Sequence, residues 1–280
     1  MAVTSAHTKF APAPLPQFGE MLPVGTVRSR TSRISRVVTL TAVTIPPLGV
    51  AAAMGLLWHV AFHWSDLWIM IGMYVVCGFG ITIGFHRLLT HRGFETSTPI
   101  KVTLAILGCM TMQGPLSQWV TDHRKHHAFS DYEDRVLRWV DRLYLVWFGL
   151  TLGIPFLIGY WIGGVDRGVE ALLWGGFVRM FLYQHATFSA NSICHIWGRQ
   201  DYVSRDEARN NWIVALLVFG EGWHNNHHAF PTSARHGLHR YQLDVSWWII
   251  RGLEKIGLVW DVRVPDDAQK ARRRLRADAR

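Results

Sequence analysis

The sequence predicts an all-α integral membrane protein with four transmembrane helices and a helical cap on the cytoplasmic side. Hydrophobic residues make up 49% of the 280 residues, and the chain contains 14 tryptophans and 14 phenylalanines. This content is high for a soluble protein. Four apolar stretches also approach the length of about 20 residues that a helix needs to cross a bilayer. They cover approximately residues 37–62, 67–85, 144–162 and 169–190.

The four stretches pair into two hairpins. Pro46 and Pro47 should kink the first helix, because proline lacks the amide hydrogen of a helical hydrogen bond. The connector at residues 63–66 is short and lacks lysine and arginine, which is typical of an outer loop. Pro155 should bend the third helix, and a glycine-rich turn at residues 163–168 joins it to the fourth. Each pair of helices therefore crosses the membrane and returns.

Two further apolar stretches, Val102–Met112 and Trp212–Gly222, are too short to cross. We interpret them as buried or interfacial segments. The number of crossings is then even, and both termini lie on one side of the membrane. A polar cap, made of residues 86–143 and 191–264, lies on that same side.

The distribution of charge indicates that this side is cytoplasmic. The net charge is +9, and basic residues lie before the first span and in a basic C-terminal tail at residues 265–280. Basic segments beside apolar spans favour the cytoplasm and attract anionic lipid headgroups. We therefore expect membrane lipids, and not nucleic acid, as partners. The chain divides into a flexible tail at residues 1–30, a single domain at 31–264 and the basic tail.

Histidine is concentrated in three short motifs of the cap. Two of them have the spacing i, i+3, i+4, which places three imidazoles on one face of a helix. Histidine is the commonest metal ligand in proteins, and nine clustered histidines are too many for one ion. Two ions with four or five ligands each would use the whole set. The candidate ligands are His86, His91, His123, His126, His127, His195, His224, His227 and His228. His236 and the remaining histidines fit no ligand pattern.

The first motif differs from the other two in its spacing. His86 and His91 are five residues apart, which places them about 140° apart around an α-helix. They cannot both face one point from an undistorted α-helix. We expect His86 to end the second span and His91 to lie beyond a bend.

The chemistry of the ligands restricts which metals the site can bind and which reactions it can support. Imidazole binds zinc, copper, iron and nickel, but zinc has no redox chemistry. The histidine motifs contain no carboxylate placed as the base of a zinc hydrolase, so we favour iron. A transporter should carry polar ligands near the middle of its spans, whereas these motifs lie at the span ends. Arg87, Arg92 and Lys125 are either charges at the mouth of the site, which attract an acidic headgroup or electron carrier, or ordinary basic residues of the cytoplasmic side.

The motifs resemble those of the membrane-bound fatty acid desaturases of the stearoyl-CoA Δ9 type. The similarity covers about residues 31–264, and the motifs that carry it are specific. They are Gly84–Arg92 (GFHRLLTHR), Asp122–Asp131 (DHRKHHAFSD), Asn191–His195 (NSICH) and Gly220–Pro231 (GEGWHNNHHAFP).

This resemblance implies a specific enzyme. It implies a di-iron centre held by the nine histidines, with Asn191 holding a metal-bound water. It implies dioxygen as co-substrate and insertion of a cis double bond, at Δ9, into a saturated acyl-CoA or acyl-lipid chain. A separate carrier of the ferredoxin, cytochrome b5 or flavin reductase type would deliver electrons. The membrane would be a bacterial inner membrane or the endoplasmic reticulum, with the active site in the cytoplasm.

Two departures from the family pattern leave alternatives open. The segment between the second histidine motif and the third span is shortened, because Asp131–Asp134 runs almost directly into Arg135–Arg142. That segment would help to cover the acyl chain, so an inactive paralogue is one alternative. Thr121 stands where animal acyl-CoA enzymes carry an arginine, which leaves the thioester carrier open. A hydroxylase or epoxidase of alkyl chains on a similar di-iron site is the other alternative.

Overall fold

The computed structural model describes residues 33–126 and 136–275, and these belong to one compact unit. The described chain is mainly helical, as predicted. Its α-helices are Arg33–Leu56, Trp64–Phe79, Thr98–Cys109, Leu116–His126, Arg138–Arg142, Tyr144–Ala171, Arg179–Ser192, Trp212–Leu217, His224–Ala229, Val245–Lys255 and Asp267–Arg273. Gly80–Thr90 and Leu172–Val178 are π-helices, and Ile193–His195 is a 3₁₀-helix. Two short strands, Glu95–Thr96 and Val259–Trp260, pair antiparallel.

Among the described residues, two continuous helical stretches are long and apolar enough to cross a membrane, Trp64–Thr90 and Tyr144–His195. The sequence predicted four spans. The first predicted span lies in the 24-residue helix Arg33–Leu56, which contains the shorter apolar stretch Val43–Leu56.

The second long stretch contains the predicted hairpin. Gly163 and Gly164 leave the helical conformation, and Gly164 has a φ of +81°, which glycine adopts without a steric penalty. The two arms then pack face to face. A Cβ at Gly159 would lie 2.6 Å from the Cβ of Ala171, and one at Gly175 would lie 3.1 Å from the Cβ of Pro155. The third and fourth predicted spans are therefore the arms of one long helical hairpin.

Both predicted connectors meet at the same end of the fold. Arg167, in the turn of the hairpin, donates a 3.0 Å hydrogen bond to Oδ2 of the buried Asp66. Arg167 also contacts Glu170 and the ring of His63. Because Asp66 lies in the first turn of the helix Trp64–Phe79, this cluster ties the first connector to the turn of the hairpin.

The two short apolar stretches contact the long helices and are partly buried, which agrees with their interpretation as buried or interfacial segments. Within Thr98–Cys109, Ala105, Gly108 and Cys109 are buried. Gly108 lies so close to Gly80 that a Cβ on Gly80 would be 2.1 Å from the Gly108 nitrogen. This close contact holds the start of the π-helix against the helix Thr98–Cys109. The helix Trp212–Leu217 receives a 3.0 Å hydrogen bond from Tyr74 on the Leu217 carbonyl oxygen.

Candidate metal centre

The first histidine pair is formed by the π-helix Gly80–Thr90. In a π-helix the amide of residue i+5 bonds the carbonyl of residue i, and the His91 amide donates to the His86 carbonyl oxygen at 3.0 Å. The two imidazole rings then face the same point, with centroids 4.8 Å apart. The prediction that an undistorted α-helix cannot hold this pair is confirmed. The predicted bend is wrong, because a wider helical turn brings the two rings together.

The helix Leu116–His126 adds His123 to this pair. The His123 ring centroid lies 4.5 Å from that of His86. Trp119, one turn earlier, stacks on His123 with centroids 5.1 Å apart and planes 6° apart, which fixes the orientation of the imidazole. The second motif also contains His126 and His127. His127 and the side chain of His126 lie outside the described residues.

The third motif is a short helix, His224–Ala229, and its two asparagines lock it to the cap. The Asn225 side chain accepts hydrogen bonds from the amides of Asp201 and Tyr202 at 2.8 and 2.9 Å. Asn226 donates to the His236 carbonyl oxygen at 2.7 Å and to Gln242 Oε1 at 2.8 Å. Both asparagines are buried. The asparagines therefore anchor one face of this helix to the cap. His224, His227 and His228 belong to two clusters of histidines.

The histidines form two clusters that share this helix. Within each cluster the potential ligand atoms lie within 4.8 Å of one another. The first cluster contains His86, His91, His123 and His227, and the second contains His195, His224 and His228. Nε2 of His86 is 3.1 Å from Nε2 of His227, and the same distance separates Nε2 of His195 from Nε2 of His224. The structure thus brings together the seven predicted ligands whose side chains it describes.

The donor set fits two ions bound to imidazole. Burial lowers the pKa of His224 well below its usual value, and the neighbouring His228 and His195 lower it further. The neutral imidazole, which is the metal-binding form, is therefore favoured. Clusters of three and four imidazoles with no carboxylate between the rings suit iron, copper, nickel or zinc better than calcium or magnesium.

Two carboxylates, which the spacing of the histidine motifs does not reveal, contact the clusters from outside. Glu221 Oε2 accepts from Nδ1 of His86 at 2.6 Å, and Asp206 Oδ2 accepts from Nδ1 of His228 at 2.6 Å. Burial alone would raise the pKa of Glu221, but His236, His86 and Arg87 hold it well below its usual range. A carboxylate on the outer nitrogen of a metal-binding histidine fixes the tautomer and the orientation of the ring. The position of Glu221 three residues before His224 is the signal that could have identified it.

Arg87 does not lie at the mouth of the site, so its predicted role as a charge that attracts partners is wrong. The side chain is completely buried. It forms hydrogen bonds to Glu221 Oε1 at 3.1 Å and an ion pair with Asp244 Oδ1 at 2.9 Å. Arg92 is exposed, and the side chain of Lys125 lies outside the described residues. Burial of an arginine requires partners of opposite charge, and only the tertiary structure supplies them.

His236 is a third residue near the clusters that the spacing of the motifs did not reveal. Its ring centroid lies 4.6 Å from that of His227, and its Nδ1 lies 3.2 Å from Glu221 Oε2. Asn191, by contrast, lies in the last turn of Arg179–Ser192 and is exposed. Its role in holding a metal-bound water stays a prediction.

Several known proteins have sequences similar to that of this chain. The fatty acid desaturase family model matches residues 133–261. The hex-5-enoyl-[acyl-carrier protein] acetylenase of Moorena producens (strain JHB) is 38% identical over 269 residues, covering 79% of this chain and 84% of the relative. Delta-9 acyl-lipid desaturase 2 of Arabidopsis thaliana is 38% identical over 247 residues, covering 75% of this chain and 79% of the relative.

A third relative extends the range of acyl carriers. Acyl-CoA C20 Delta5-desaturase of Anemone leveillei is 33% identical over 249 residues, covering 75% of this chain and 77% of the relative. In all three matches the alignment is longer than the number of residues that this chain contributes to it. The relatives therefore contain positions that this chain lacks. The matched relatives share most of their length with this chain, and the family match includes His195, His224, His227 and His228. The chain belongs to the fatty acid desaturase family.

Proposed function

We propose that this protein is an oxygen-dependent di-iron desaturase that inserts a cis double bond, at Δ9, into a saturated acyl-CoA or acyl-lipid chain. The observation that carries this proposal is the pair of histidine clusters joined by one short helix, His224–Ala229. Relatives that are named as Δ9 acyl-lipid desaturases support the position of the double bond. Relatives with acyl-CoA and acyl-carrier-protein names keep the carrier of the acyl chain open.

The residues of this chain have separate roles in the proposed reaction. His86, His91, His123 and His227 would hold one ion, and His195, His224 and His228 would hold the other. His126, His127 and, through a bound water, Asn191 would complete the two ligand sets. The two irons, when bound, would activate dioxygen. Two hydrogens from adjacent carbons of the acyl chain, two electrons from the carrier and two protons would together reduce the dioxygen to two water molecules. Glu221 and Asp206 keep the outer nitrogens of His86 and His228 protonated, so that Nε2 of each ring is the ligand atom.

Exclusion of water is the second task of the site. Phe85 is fully buried beside Trp119, with ring centroids 5.5 Å apart. These two rings border the first cluster on the side of the long helices. An acyl chain gains about 0.8 kcal/mol for each CH₂ that leaves water, so an apolar approach to the histidines favours its entry. Electrons would come from a separate carrier of the ferredoxin, cytochrome b5 or flavin reductase type.

The proposed membrane arrangement has four crossings, with both termini and the histidine clusters in the cytoplasm. The contact of Arg167 with Asp66 supports it, because this contact places both connectors at one end of the fold. Reporter fusions after Arg280 and within the connector at Ser65 should give opposite signals. The same signal from both fusions would contradict the arrangement.

The decisive experiment is expression in a desaturase-deficient cell, followed by gas chromatography of fatty acids and location of the double bond. We expect Δ9-unsaturated chains from the wild-type protein and none from His123→Ala. His239→Ala is the matched control, because His239 lies in the cap outside both clusters and stacks on Tyr202 and Tyr241. Hydroxylated or epoxidised products would identify the alternative enzyme. A triple bond would indicate an acetylenase, and an unchanged profile would indicate an inactive paralogue.

A further inference from the structure

The two histidine clusters have unequal surroundings, and the difference lies in a buried group of charges beside the first cluster. This group consists of Arg87, Glu221 and Asp244, and none of the three is more than 8% exposed. Glu221 contacts the first cluster through His86. Arg87 connects Glu221 to Asp244, which accepts from the amides of His236 and Gly237 at 2.7 and 3.0 Å.

This buried group has a formal charge of one negative unit, since it contains one arginine and two carboxylates. An uncompensated charge is costly in the interior of a protein. A divalent ion on His86 brings the missing positive charge within reach of Glu221. The negative charge beside the first cluster therefore favours the metal-bound state over the metal-free state.

His236 completes this arrangement. Its side chain is 1% exposed, and its Nδ1 lies 3.2 Å from the same Glu221 oxygen that contacts His86. Glu221 is thus held on one side by Arg87, at 3.1 Å, and faces two imidazoles on the other. The second cluster has a different support. Asp206 contacts His228 at 2.6 Å, but the Asp206 side chain is 37% exposed, so solvent weakens its field.

We propose that Glu221, held by Arg87 and His236, is a positioning residue that controls how tightly the first cluster binds its ion. Asp206 has the corresponding, weaker role at the second cluster. The two ions are consequently inequivalent, and the ion on the second cluster leaves first. This inference rests on the proposed function, because it assumes that both clusters bind iron.

Release of iron from the full-length, iron-loaded protein in detergent tests the proposal. A strong ferrous chelator is added, and coloured complex is followed over time, with total iron per chain measured beforehand. The wild type should lose iron in two phases of about one ion each. His91→Ala should remove the slow phase and His195→Ala the fast one, which assigns the phases to the clusters.

Three carboxylate variants then separate the two supports. Glu221→Gln should accelerate the slow phase about 10- to 100-fold, the usual effect of removing an outer partner of a metal ligand, and leave the fast phase unchanged. Asp206→Asn should accelerate only the fast phase. Glu207→Gln is the matched control, because it removes the same charge at the next residue, where the carboxylate pairs with Arg209 at 3.2 Å. It should change neither phase.

A pair of variants at His236 guards against misfolding of Glu221→Gln, which leaves Arg87 with one charged partner fewer. His236→Leu should accelerate the slow phase, and His236→Asn should restore it, because the asparagine amide can donate from near the position of Nδ1. Equal acceleration of both phases by Glu221→Gln, or no effect of His236→Leu, would overturn the proposal. A wild type that binds a single ion would refute the dinuclear centre instead. The inference then stands only if Glu221→Gln accelerates the release of that ion.

Discussion

Replacement of Gly80 by alanine tests whether the π-helix must lie where it does. The added Cβ would lie 2.1 Å from the Gly108 nitrogen and 2.3 Å from the Leu107 carbonyl carbon, whereas ordinary contacts begin at 3.4 Å. Both obstacles are backbone atoms, so no side chain can rotate away. The two helices must move apart by roughly 1 Å, and overpacking of this kind costs about 1–3 kcal/mol.

The consequence of this shift for the metal centre follows from the position of His86, six residues after Gly80 in the same helix. Metal ligands tolerate displacements of only about 0.2 Å. We therefore expect Gly80→Ala to lose iron from the first cluster as well as stability. A loss of about 2 kcal/mol corresponds to a decrease of about 5 °C in melting temperature, measured by thermal unfolding in detergent with iron content determined in parallel.

The matched control is Gly72→Ala, on the same long helical stretch. A Cβ at Gly72 has nothing within 4 Å, and alanine is favoured over glycine inside a helix by about 1 kcal/mol. This variant should keep its iron and melt at or above the temperature of the wild type. If Gly80→Ala matches Gly72→Ala in both melting temperature and iron content, the reasoning about close helix contact is refuted.

Three further predictions concern the cap, the metal and the substrate. Asn226→Ala should destabilise the protein by about 3 kcal/mol or more, because it leaves several buried polar groups unpaired, whereas the exposed Asn191→Ala should change the free energy of unfolding by less than about 0.5 kcal/mol. Chelation of iron should lower the melting temperature, and added Fe²⁺ should restore it while Mg²⁺, which prefers oxygen ligands, should not. The shortened connector after the second histidine motif should loosen selectivity for chain length, so feeding saturated acids of graded length should give a broad range of products. A sharp preference for one length would contradict that last expectation.

The sequence by itself determined that the chain is mainly helical and which histidines to propose as metal ligands. The spacing i, i+3, i+4 is a local property of a helix, so His224, His227 and His228 could be assigned to one helical turn without knowledge of their surroundings. The hairpin turn at Gly163 and Gly164 was also predictable, because glycine is the residue that tolerates such backbone angles. The predicted ligands that the structure describes lie in the two clusters.

Only the tertiary structure decided how the ligands divide between the clusters and what supports them. Arg87, Glu221 and His236 are far apart along the chain, and their contacts depend on the packing of the cap against the long helices. The π-helix could not be predicted from the sequence either. Gly80 in that segment lies in close contact with Gly108, and local propensity does not specify such a contact. Local periodicity shows which side chains share a face of a helix, whereas burial and long-range pairing of charges decide which of them act together.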